Sequence, residues 1–236
     1  MGDYLGTMDT GLYIAASGML AQQVREDQLA NDLSNASTPG YKSDSSVQSS
    51  FGAMLLANTS TGQPIGAINT GVRLGAPVTN LTPSTLHSTG QPLDFGIAGQ
   101  GFFAVRTPQG IRYTRDGQFQ ANAQGQLVDG QGNQVLSQNG ATITVSAQGT
   151  VPASSLGVFN ATNVAKQGNN YFTGTAGGKA TGTVKQGELE DSSVDPVNTM
   201  VHMISALQTY QAGENAIQTI DSTMQESAGS VASLGG

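Results

Sequence analysis

The chain has 236 residues, of which 37% are hydrophobic and 11% charged, with 32 Gly and no Trp. This composition is typical of turn-rich β structure and of surfaces that meet other protein. The absence of Cys excludes disulfides, thiolate metal sites and a cysteine nucleophile. The net charge of −7 argues against nucleic acid as a partner, and no apolar run reaches the roughly 20 residues that a membrane-inserted helix needs.

An amphipathic helix is predicted near the N-terminus, after a frayed leader from Met1 to Met8. Asp9 or Thr10 is placed to cap its start, and Ser37-Thr38-Pro39-Gly40 ends it near Asn35, because the residue before a Pro avoids the helical conformation. The first ten residues lack a basic region followed by an apolar one, so we expect no cleaved signal peptide. One face carries a seam at heptad spacing: Leu12, Ala15, Met19, Gln22, Glu26, Leu29 and Leu33.

A second helix is predicted from Asp195 to Leu234, with Asp195 as the N-cap and Pro196 at the first helical position. Its seam has the spacing of a helix that packs along another helix: Met203, Ala206, Tyr210, Gly213, Ile217, Ile220, Met224, Ser227, Val231 and Leu234. A second apolar stripe runs beside it through Val197, Val201, Ile204 and Leu207. Gly, Ser and Thr weaken the helix, so we expect it to form fully only against neighbours.

The two terminal helices allow two interpretations. They are either ordinary surface helices of one domain, or helices that pair with each other and with other copies of the chain. The regular seam of the second helix favours the second interpretation.

The middle of the chain contains two regions with different sequence patterns. Tyr41 to Gly90 is predicted to be extended, with an apolar patch from Phe51 to Leu56 that is compatible with a helical turn. From Leu93 onward, short strands alternate with tight turns, beginning with a hairpin around Pro108-Gln-Gly110. Further strands are predicted at 118–121, 126–128, 134–136, 141–145, 155–159, 171–173 and 182–185. The expected core is Phe95, Phe102, Phe103, Val105, Tyr113, Phe119, Leu127, Ile143 and Phe159.

These elements predict an α+β fold, in which the N- and C-terminal helices pair as a coiled coil beside a central all-β module of short antiparallel strands. The predicted regions are an N-terminal helix (1–40), an extended linker (41–92), a β-rich module (93–186) and a C-terminal helix with its preceding segment (187–236).

The sequence offers little for catalysis. Only two histidines are present, His87 and His202, and neither has a partner at a catalytic or metal-ligand spacing. Gly99-Gln-Gly101 and Gly177-Gly-Lys179 resemble fragments of nucleotide-binding loops but lack the remaining residues, so both are interpreted as turns. We predict no enzyme activity, no catalytic or metal site and no cofactor.

Two clusters of charged residues are assigned structural rather than catalytic roles. Glu188, Glu190, Asp191 and Asp195 are interpreted as negative charge that favours the N-terminus of the following helix. Arg115 and Asp116 are interpreted as polar residues of a turn.

Three stretches together resemble one family, the flagellar rod and hook proteins of bacteria. The first is Leu29-Ala-Asn-Asp-Leu-Ser-Asn-Ala-Ser-Thr-Pro-Gly-Tyr-Lys42. The second combines Gly99-Gln-Gly-Phe-Phe103 with Tyr113-Thr-Arg-Asp-Gly-Gln-Phe119. The third is Gly187-Glu-Leu-Glu-Asp-Ser-Ser-Val-Asp195, which leads into the C-terminal helix. Asp32, Ser193 and Asp195 depart from the Asn residues usual in the family.

The resemblance implies a structural subunit of the flagellar basal-body rod, exported unfolded by the type III apparatus, that assembles in the periplasm into a helical homo-oligomer. The distal rod (FlgG) type is favoured, with the FlgF type or a related homologue as the alternative. A secreted β-rich adhesin with oligomerising helices is a second, less favoured class. Implied partners are other rod and hook proteins and the surrounding periplasmic ring.

The residues assigned to assembly form three groups. The seam group is Leu12, Met19, Leu29, Leu33, Met203, Ala206, Tyr210, Ile217, Ile220, Met224, Val231 and Leu234. The N-terminal motif is Asn31, Asn35, Ser37, Thr38, Pro39, Gly40, Tyr41 and Lys42. The segment that leads into the C-terminal helix contributes Val194, Asp195 and Pro196.

Overall fold

The computed structural model describes residues 2–50, 53–57, 64–69, 71–168 and 170–234. Two long helices flank a series of short strands. In chain order the elements are α1 (Gly2–Ser34), β1 (Asp44–Ser45), β2 (Gln48–Ser50), β3 (Ala53–Ala57), β4 (Pro64–Asn69), β5 (Val72–Leu74), β6 (Val78–Thr79), β7 (Leu86–Ser88), β8 (Phe95–Ala98), β9 (Phe103–Thr107), β10 (Gly110–Thr114), β11 (Gln120–Ala121), β12 (Leu127–Val128), β13 (Gln134–Val135), a 3₁₀ turn (Ala153–Ser155), β14 (Phe159–Lys166), β15 (Tyr171–Lys179), β16 (Thr183–Gln186), β17 (Glu188–Glu190) and α2 (Pro196–Leu234).

The chain divides into two units. The first draws its described residues from Met1–Asn31, Ser45–Val78 and Val197–Gly236, and the second from Asp32–Asp44 and Thr79–Pro196. None of the described helices combines the length and apolarity that a bilayer span requires.

Both terminal helices are present as predicted, with one correction. α1 begins at Gly2 rather than at Asp9 or Thr10, because nothing between Gly2 and Met8 interrupts a helix and no Pro stands there. It ends at Ser34, one residue before the predicted stop. α2 begins at Pro196, whose fixed φ suits the first helical position.

The first unit contains an antiparallel ribbon that follows α1 in the chain and is built from two strand pairs. β2 pairs with β5, and β3 pairs with β4. The ribbon agrees with an extended conformation for this region, but Ala53–Ala57 is a strand and not a helical turn. Phe51 lies outside the described residues. The Val72 N–H donates to Ser17 Oγ at 3.3 Å, so the ribbon contacts α1.

The second unit is built on a seven-stranded antiparallel sheet in the order β11-β12-β13-β9-β10-β15-β14. The predicted hairpin around Pro108 joins β9 to β10, with Thr107 opposite Gly110. Two smaller pairs complete the unit, β8 with β16 and β7 with β17.

The core of the second unit agrees with the sequence expectation. Eight of the nine predicted residues are buried and Phe159 is partly buried. Phe103 meets Phe119 edge-on with 5.2 Å between ring centroids, and Phe102 packs on Phe172 at 5.6 Å. Offset and edge-on ring pairs stabilise such cores beyond their buried area.

Two predicted strands and one predicted turn differ from the structure. Residues 141–145 make only isolated bridges through Thr142 and Thr144, because their partners Leu136 and Gln126 adjoin two different strands, β13 and β12. Residues 155–159 form a 3₁₀ turn and a loop before β14 begins at Phe159. Gly177-Gly-Lys179 is the end of strand β15 rather than a turn, since its backbone continues the ladder with β14 as far as Lys179 opposite Phe159.

Candidate functional site

One face of α2 is shielded from solvent, and its positions coincide with the predicted seam. Ala206 is 3% exposed. The partly buried seam residues are Met203, Tyr210, Gly213, Ile217, Ile220 and Met224, and the described positions between them are exposed. Val231 and Leu234 belong to α2 but lie outside the residues whose side chains the structure describes. The assembly role of all these residues remains a prediction.

The four seam residues of α1, Leu12, Met19, Leu29 and Leu33, are partly buried as well. The two helices approach each other at glycines, Gly11 on α1 and Gly213 on α2. A Cβ atom on Gly213 would lie 2.8 Å from Cγ of Met19, and one on Gly11 would lie 3.7 Å from Cδ1 of Ile220. Gly11 and then Met19 on α1 therefore face Ile220 and then Gly213 on α2, so the two helices run antiparallel at this contact.

The three stretches that carry the family resemblance converge in the second unit on three buried charged side chains. Lys42 follows α1, Arg115 follows β10, and Glu190 ends β17. Their exposed fractions are 0%, 2% and 1%. We call these residues the buried ion triad.

Glu190 connects the other two members of the triad. Its Oε1 lies 2.7 Å from Lys42 Nζ and its Oε2 lies 2.9 Å from Arg115 Nη1. Oε1 also accepts the backbone N–H of Ser84 at 2.8 Å. Three donors therefore replace the water that this carboxylate loses on burial.

Lys42 is held by further acceptors. Its Nζ donates to the Thr82 carbonyl at 2.6 Å and to Ser84 Oγ at 3.4 Å. Burial lowers the pKa of Lys42 below its usual range, and the Glu190 carboxylate opposes that shift. The three acceptors match the three donors of an ammonium group.

Backbone hydrogen bonds tie the end of α1 to the segment that precedes α2. Gly40 N–H donates to the Glu190 carbonyl at 2.8 Å, and Ser193 N–H donates to the Tyr41 carbonyl at 2.9 Å. Ser43 N–H donates to Ser193 Oγ at 2.7 Å. The chain that leaves α1 therefore runs beside the chain that enters α2.

Tyr41 fixes the last turn of α1. Its hydroxyl donates to Asp32 Oδ1 at 2.8 Å, and Lys166 Nζ sits 3.9 Å from its ring centroid, a cation–π contact. Burial raises the pKa of Asp32, against the opposing effect of the Tyr41 hydrogen bond, and burial and Asp32 raise that of Tyr41. Lys166 also donates to the Lys42 carbonyl at 2.8 Å and contacts Asp44 at 3.0 Å.

The remaining predicted motif residues do not belong to the triad, and their burial varies. Val194 is buried, whereas Asn31, Ser37, Asp195 and Pro196 are exposed, and Asn35, Thr38 and Pro39 are partly buried. The Pro39 carbonyl accepts from Asn170 Nδ2 at 2.9 Å.

Gly40 allows the chain to pass against the turn that carries Arg115. Its φ is +64°, and a Cβ atom there would lie 2.3 Å from the Arg115 carbonyl carbon and oxygen. Gly40→Ala should destabilise the second unit in urea denaturation by well over the roughly 1–2 kcal/mol of a left-handed alanine alone. Gly90→Ala is the matched control, because Gly90 has φ +69° and no atom within 4 Å of a Cβ. Equal losses in the two variants would contradict the close approach.

Asp116 predicts a pH dependence of stability. Burial, with Asp129 and Asp94 as lesser causes, raises its pKa from 3.8 to about 6, although the Gln118 N–H acts in the opposite direction. The folded unit therefore holds this proton more tightly than the unfolded chain. The resulting stabilisation is complete below about pH 4 and is lost as the pH rises through 6.

The free energy of unfolding should consequently increase between pH 7 and pH 5 through this group. Asp116→Asn should flatten that slope in urea denaturation at several pH values, and Asp221→Asn on α2 serves as the control. A slope that Asp116→Asn leaves unchanged would refute the assignment.

The sequence interpretation missed Glu190 and Arg115. The view of Glu190 as charge at a helix N-terminus was wrong, because β17 turns its side chain inward six residues before α2 begins. Arg115 is not part of a simple polar turn, because its guanidinium reaches from the end of β10 to Glu190. The signal was present, since both residues stand in the stretches that carry the resemblance.

Other titratable residues make no recognisable catalytic or metal centre in the part of the chain that the structure describes. No three His, Asp or Glu side chains there are grouped as metal ligands. His87 Nδ1 lies 2.5 Å from Asp191 Oδ1, where both side chains are about half exposed, and His202 is exposed on α2.

Comparison with known proteins matches three parts of the chain to flagellar families. Residues 12–42 match the flagella basal body rod protein family, residues 96–168 the D1 domain of flagellar hook protein FlgE/F/G, and residues 185–229 the C-terminal part of the flagellar basal body rod FlgEFG proteins. The buried ion triad draws one residue from each match.

Whole-length relatives agree with these matches. The chain is 32% identical to flagellar basal-body rod protein FlgG of Borreliella burgdorferi, over 92% of the chain and 97% of the relative. It is 30% identical to flagellar hook-basal body complex protein FlhO of Bacillus subtilis, over 95% and 99%. It is also 30% identical to flagellar basal-body rod protein FlgF of Caulobacter vibrioides, over 97% and 99%. With its helical ends, its β module and the buried ion triad of the second unit, the chain belongs to the flagellar basal-body rod protein family.

Proposed function

We propose that this protein is a structural subunit of the bacterial flagellar basal-body rod, of the distal FlgG type, that polymerises into the axial tube and carries torque from motor to hook. The observation that carries the proposal is the agreement between the α2 seam and the shielded face of that helix. The role is mechanical rather than catalytic. In this proposal, residues 1–40 and 187–236 are the axial segments, residues 41–92 are the linker and residues 93–186 are the β module.

The two helices act as an antiparallel coiled-coil pair in this proposal. The close approaches at Gly213 and Gly11 support it, since small residues let a side chain such as Met19 insert between turns of the facing helix. Each large seam residue that becomes fully buried contributes roughly 1.5–3 kcal/mol.

A second set of apolar side chains on both helices is left for neighbouring copies. On α2, Val197, Met200, Val201, Ile204 and Leu207 are 42–71% exposed, and on α1, Tyr13, Leu20 and Val24 are 45–62% exposed. These stripes occupy different surfaces of one unit, so contact between the α2 stripe of one copy and the α1 stripe of the next is heterologous. Heterologous contacts that do not close generate helical polymers.

The relatives support the proposed placement within the flagellum. FlgG relatives favour the distal rod, and the FlgF and FlhO relatives keep a proximal or related position as the alternative. In this proposal the protein is exported through the flagellar type III apparatus and localises to the basal body, next to other rod and hook proteins and inside the periplasmic ring.

Limited proteolysis of the unassembled protein should separate the two units. We expect cuts in both helices and in the β3–β4 ribbon, and a resistant core that contains residues 79–196. The fragment 32–44 should stay attached through Lys42, Tyr41 and Gly40 and appear with the core in native mass spectrometry. Resistant helices in the monomer would contradict folding of the ends on assembly, and loss of the short fragment would contradict its attachment to the core.

The proposed function is tested by deletion of the gene and cryo-tomography of the cell envelope. Basal bodies that stop before a complete rod are expected, and the point of arrest distinguishes the distal from the proximal position. Complete, motile flagella in the deletion strain would overturn the proposal.

A further inference from the structure

A cleft of about 600 Å³ opens on the surface of the second unit. Its lining comes from three turns, which join β9 to β10, β12 to β13 and β14 to β15, and from residues of the adjoining strands. The turns contribute Gln109, Gln131 and Gln167, all of which are exposed. The volume is within the range of about 300–1,000 Å³ that is usual for small-molecule sites, and loops held by a rigid sheet often carry such sites.

Strand register directs Thr107, Arg112 and Tyr171 to one face of the sheet. Arg112 stands opposite Val105, and Thr107 follows Val105 by two residues on β9. Tyr171 stands opposite Thr114, which follows Arg112 by two residues on β10. Residues paired across strands, and alternate residues along one strand, share a face. All three therefore line the cleft from the face that carries the core residue Val105.

Asp129 fixes two residues of the lining, Asn133 and Tyr171. It is 8% exposed, and its carboxylate accepts the backbone N–H groups of Gln131 at 2.9 Å and of Asn133 at 2.8 Å. It also accepts the Asn133 amide at 3.2 Å and the Tyr171 hydroxyl. Asn133 Nδ2 in turn donates to the Tyr171 hydroxyl at 2.8 Å. Four donors occupy the roughly four acceptor positions of a carboxylate, so Asp129 organises the wall of the cleft before a ligand arrives.

Arg112 is the charged residue of the lining and is partly exposed, so solvent and solutes reach it. Its Nη1 donates to the Ile111 carbonyl at 3.2 Å, and it forms no ion pair with a carboxylate among the described residues. A guanidinium with open donors binds a planar carboxylate through paired hydrogen bonds. Basic residues also outnumber acidic ones between Asp94 and Gln186, which favours an anionic ligand at this module.

The amide groups of the lining favour a ligand that carries many hydroxyl groups. An amide side chain both donates and accepts hydrogen bonds, as a sugar hydroxyl does. An apolar ligand would leave the amides of Gln109, Gln131 and Gln167 unpaired where it covered them. Pro108 adds an apolar surface to the lining, suited to the C–H groups of a sugar ring.

An extended peptide fits the cleft less well. β9 lies between β13 and β10, and β10 lies between β9 and β15. Both strands at the cleft are therefore paired on each side, and they offer no free edge to which a peptide strand could add.

We propose that this cleft binds a saccharide that carries a carboxylate. Arg112 binds the carboxylate, and Gln109, Gln131 and Gln167 bind hydroxyl groups of the sugar. The inference goes beyond the proposed function and does not rest on it, because every residue involved belongs to the second unit. The saccharide has two possible sources, a free sugar acid and one unit of a polysaccharide chain.

The test is a titration of the full ¹⁵N-labelled chain with galacturonate and with trigalacturonate, followed through the Arg112 Nε–H and the glutamine amide resonances. Saturable shifts of these resonances are expected with both acids. Maltotriose, which has the hydroxyl groups and no carboxylate, should bind at least about tenfold more weakly than trigalacturonate.

Two results of this titration would overturn the proposal. The first is the absence of a saturable shift with either sugar acid. The second is a competitor without a sugar ring, namely acetate, inorganic phosphate or a glutamate dipeptide, that binds as tightly as the better of the two sugar acids. Charge alone would then account for the binding.

Variants separate recognition from folding. Arg112→Gln should weaken trigalacturonate by at least about tenfold and remove its advantage over maltotriose. Arg106→Gln is the matched control, because Arg106 is exposed on the adjacent strand and stands opposite Ile111, on the other face of the sheet. Gln131→Glu should weaken trigalacturonate by repulsion, whereas Gln124→Glu, in an exposed turn outside the lining, should not. Urea transitions check that each variant folds, and equal affinities in Arg112→Gln and Arg106→Gln would refute the site.

The length of the ligand distinguishes the two sources of the saccharide. If the ligand is a unit of a polysaccharide, trigalacturonate binds more tightly than galacturonate, because further units contact the surrounding turns. If the ligand is a free sugar acid, the two bind with equal affinity per molecule.

Discussion

Glu190→Gln should destabilise the second unit by about 3–5 kcal/mol, because it leaves Lys42 and Arg115 as buried cations without a carboxylate. The amide also presents an N–H₂ group toward these two donors. We expect this loss in the free energy of unfolding from urea denaturation of the full chain, followed by tyrosine fluorescence. Cells that carry the variant should also lose motility, because the triad joins the segments at the bases of both helices.

Two further variants show whether charge is the cause. Glu188→Gln, two residues earlier on the same strand and partly exposed, should change stability by less than about 0.5 kcal/mol. The double variant Glu190→Gln with Lys42→Met should be less destabilised than the sum of the single variants, since it removes one of the stranded cations. Additive losses would mean that the triad matters only through packing.

Substitution of the α2 seam should block assembly and leave the second unit folded. Ile217→Asp or Ile220→Asp places a carboxylate where an aliphatic side chain packs, and Ile220 is the residue that approaches Gly11 on α1. Each substitution forfeits roughly 1.5–3 kcal/mol of apolar burial. The variant that carries both should reach the polymer more than about 100-fold less than wild type.

Incorporation is measured by quantitative immunoblotting of purified basal bodies, and the unchanged urea transition of the second unit serves as the folding check. Gln218→Asp introduces the same carboxylate at an exposed neighbouring position and should incorporate normally. Basal bodies that contain either single Ile variant at wild-type amounts would refute the seam.

Periodic features were predictable because they depend on local spacing. Heptad repetition from Met203 to Met224 identified the shielded face of α2, and the alternation of apolar residues with turns identified most of the core around Phe103 and Phe119. Pro196 indicated the start of α2 because its ring fixes φ near the helical value. These signals lie within short windows of sequence, where hydrophobic burial and backbone restriction act directly.

The triad could not be found in that way. Lys42 and Glu190 are separated by 148 positions, and no periodicity relates them to each other or to Arg115. Out of context, each charge favours solvent, because burial of an unpaired ion is costly. Only the tertiary structure brings opposite charges and backbone acceptors together at one buried point, which reverses that preference.

Local patterns in the sequence were therefore sufficient to predict the class of fold, the two amphipathic helices and the family of this protein. The contact between the segment that follows α1 and the segment that precedes α2 was visible only in the folded structure. It depends on β17, which lies beside the chain that leaves α1. The same structure buries the Arg115 guanidinium against the Glu190 carboxylate and the Gly99 carbonyl. Helix seams are local patterns of burial, whereas a buried ion triad exists only after distant segments have excluded water from one another.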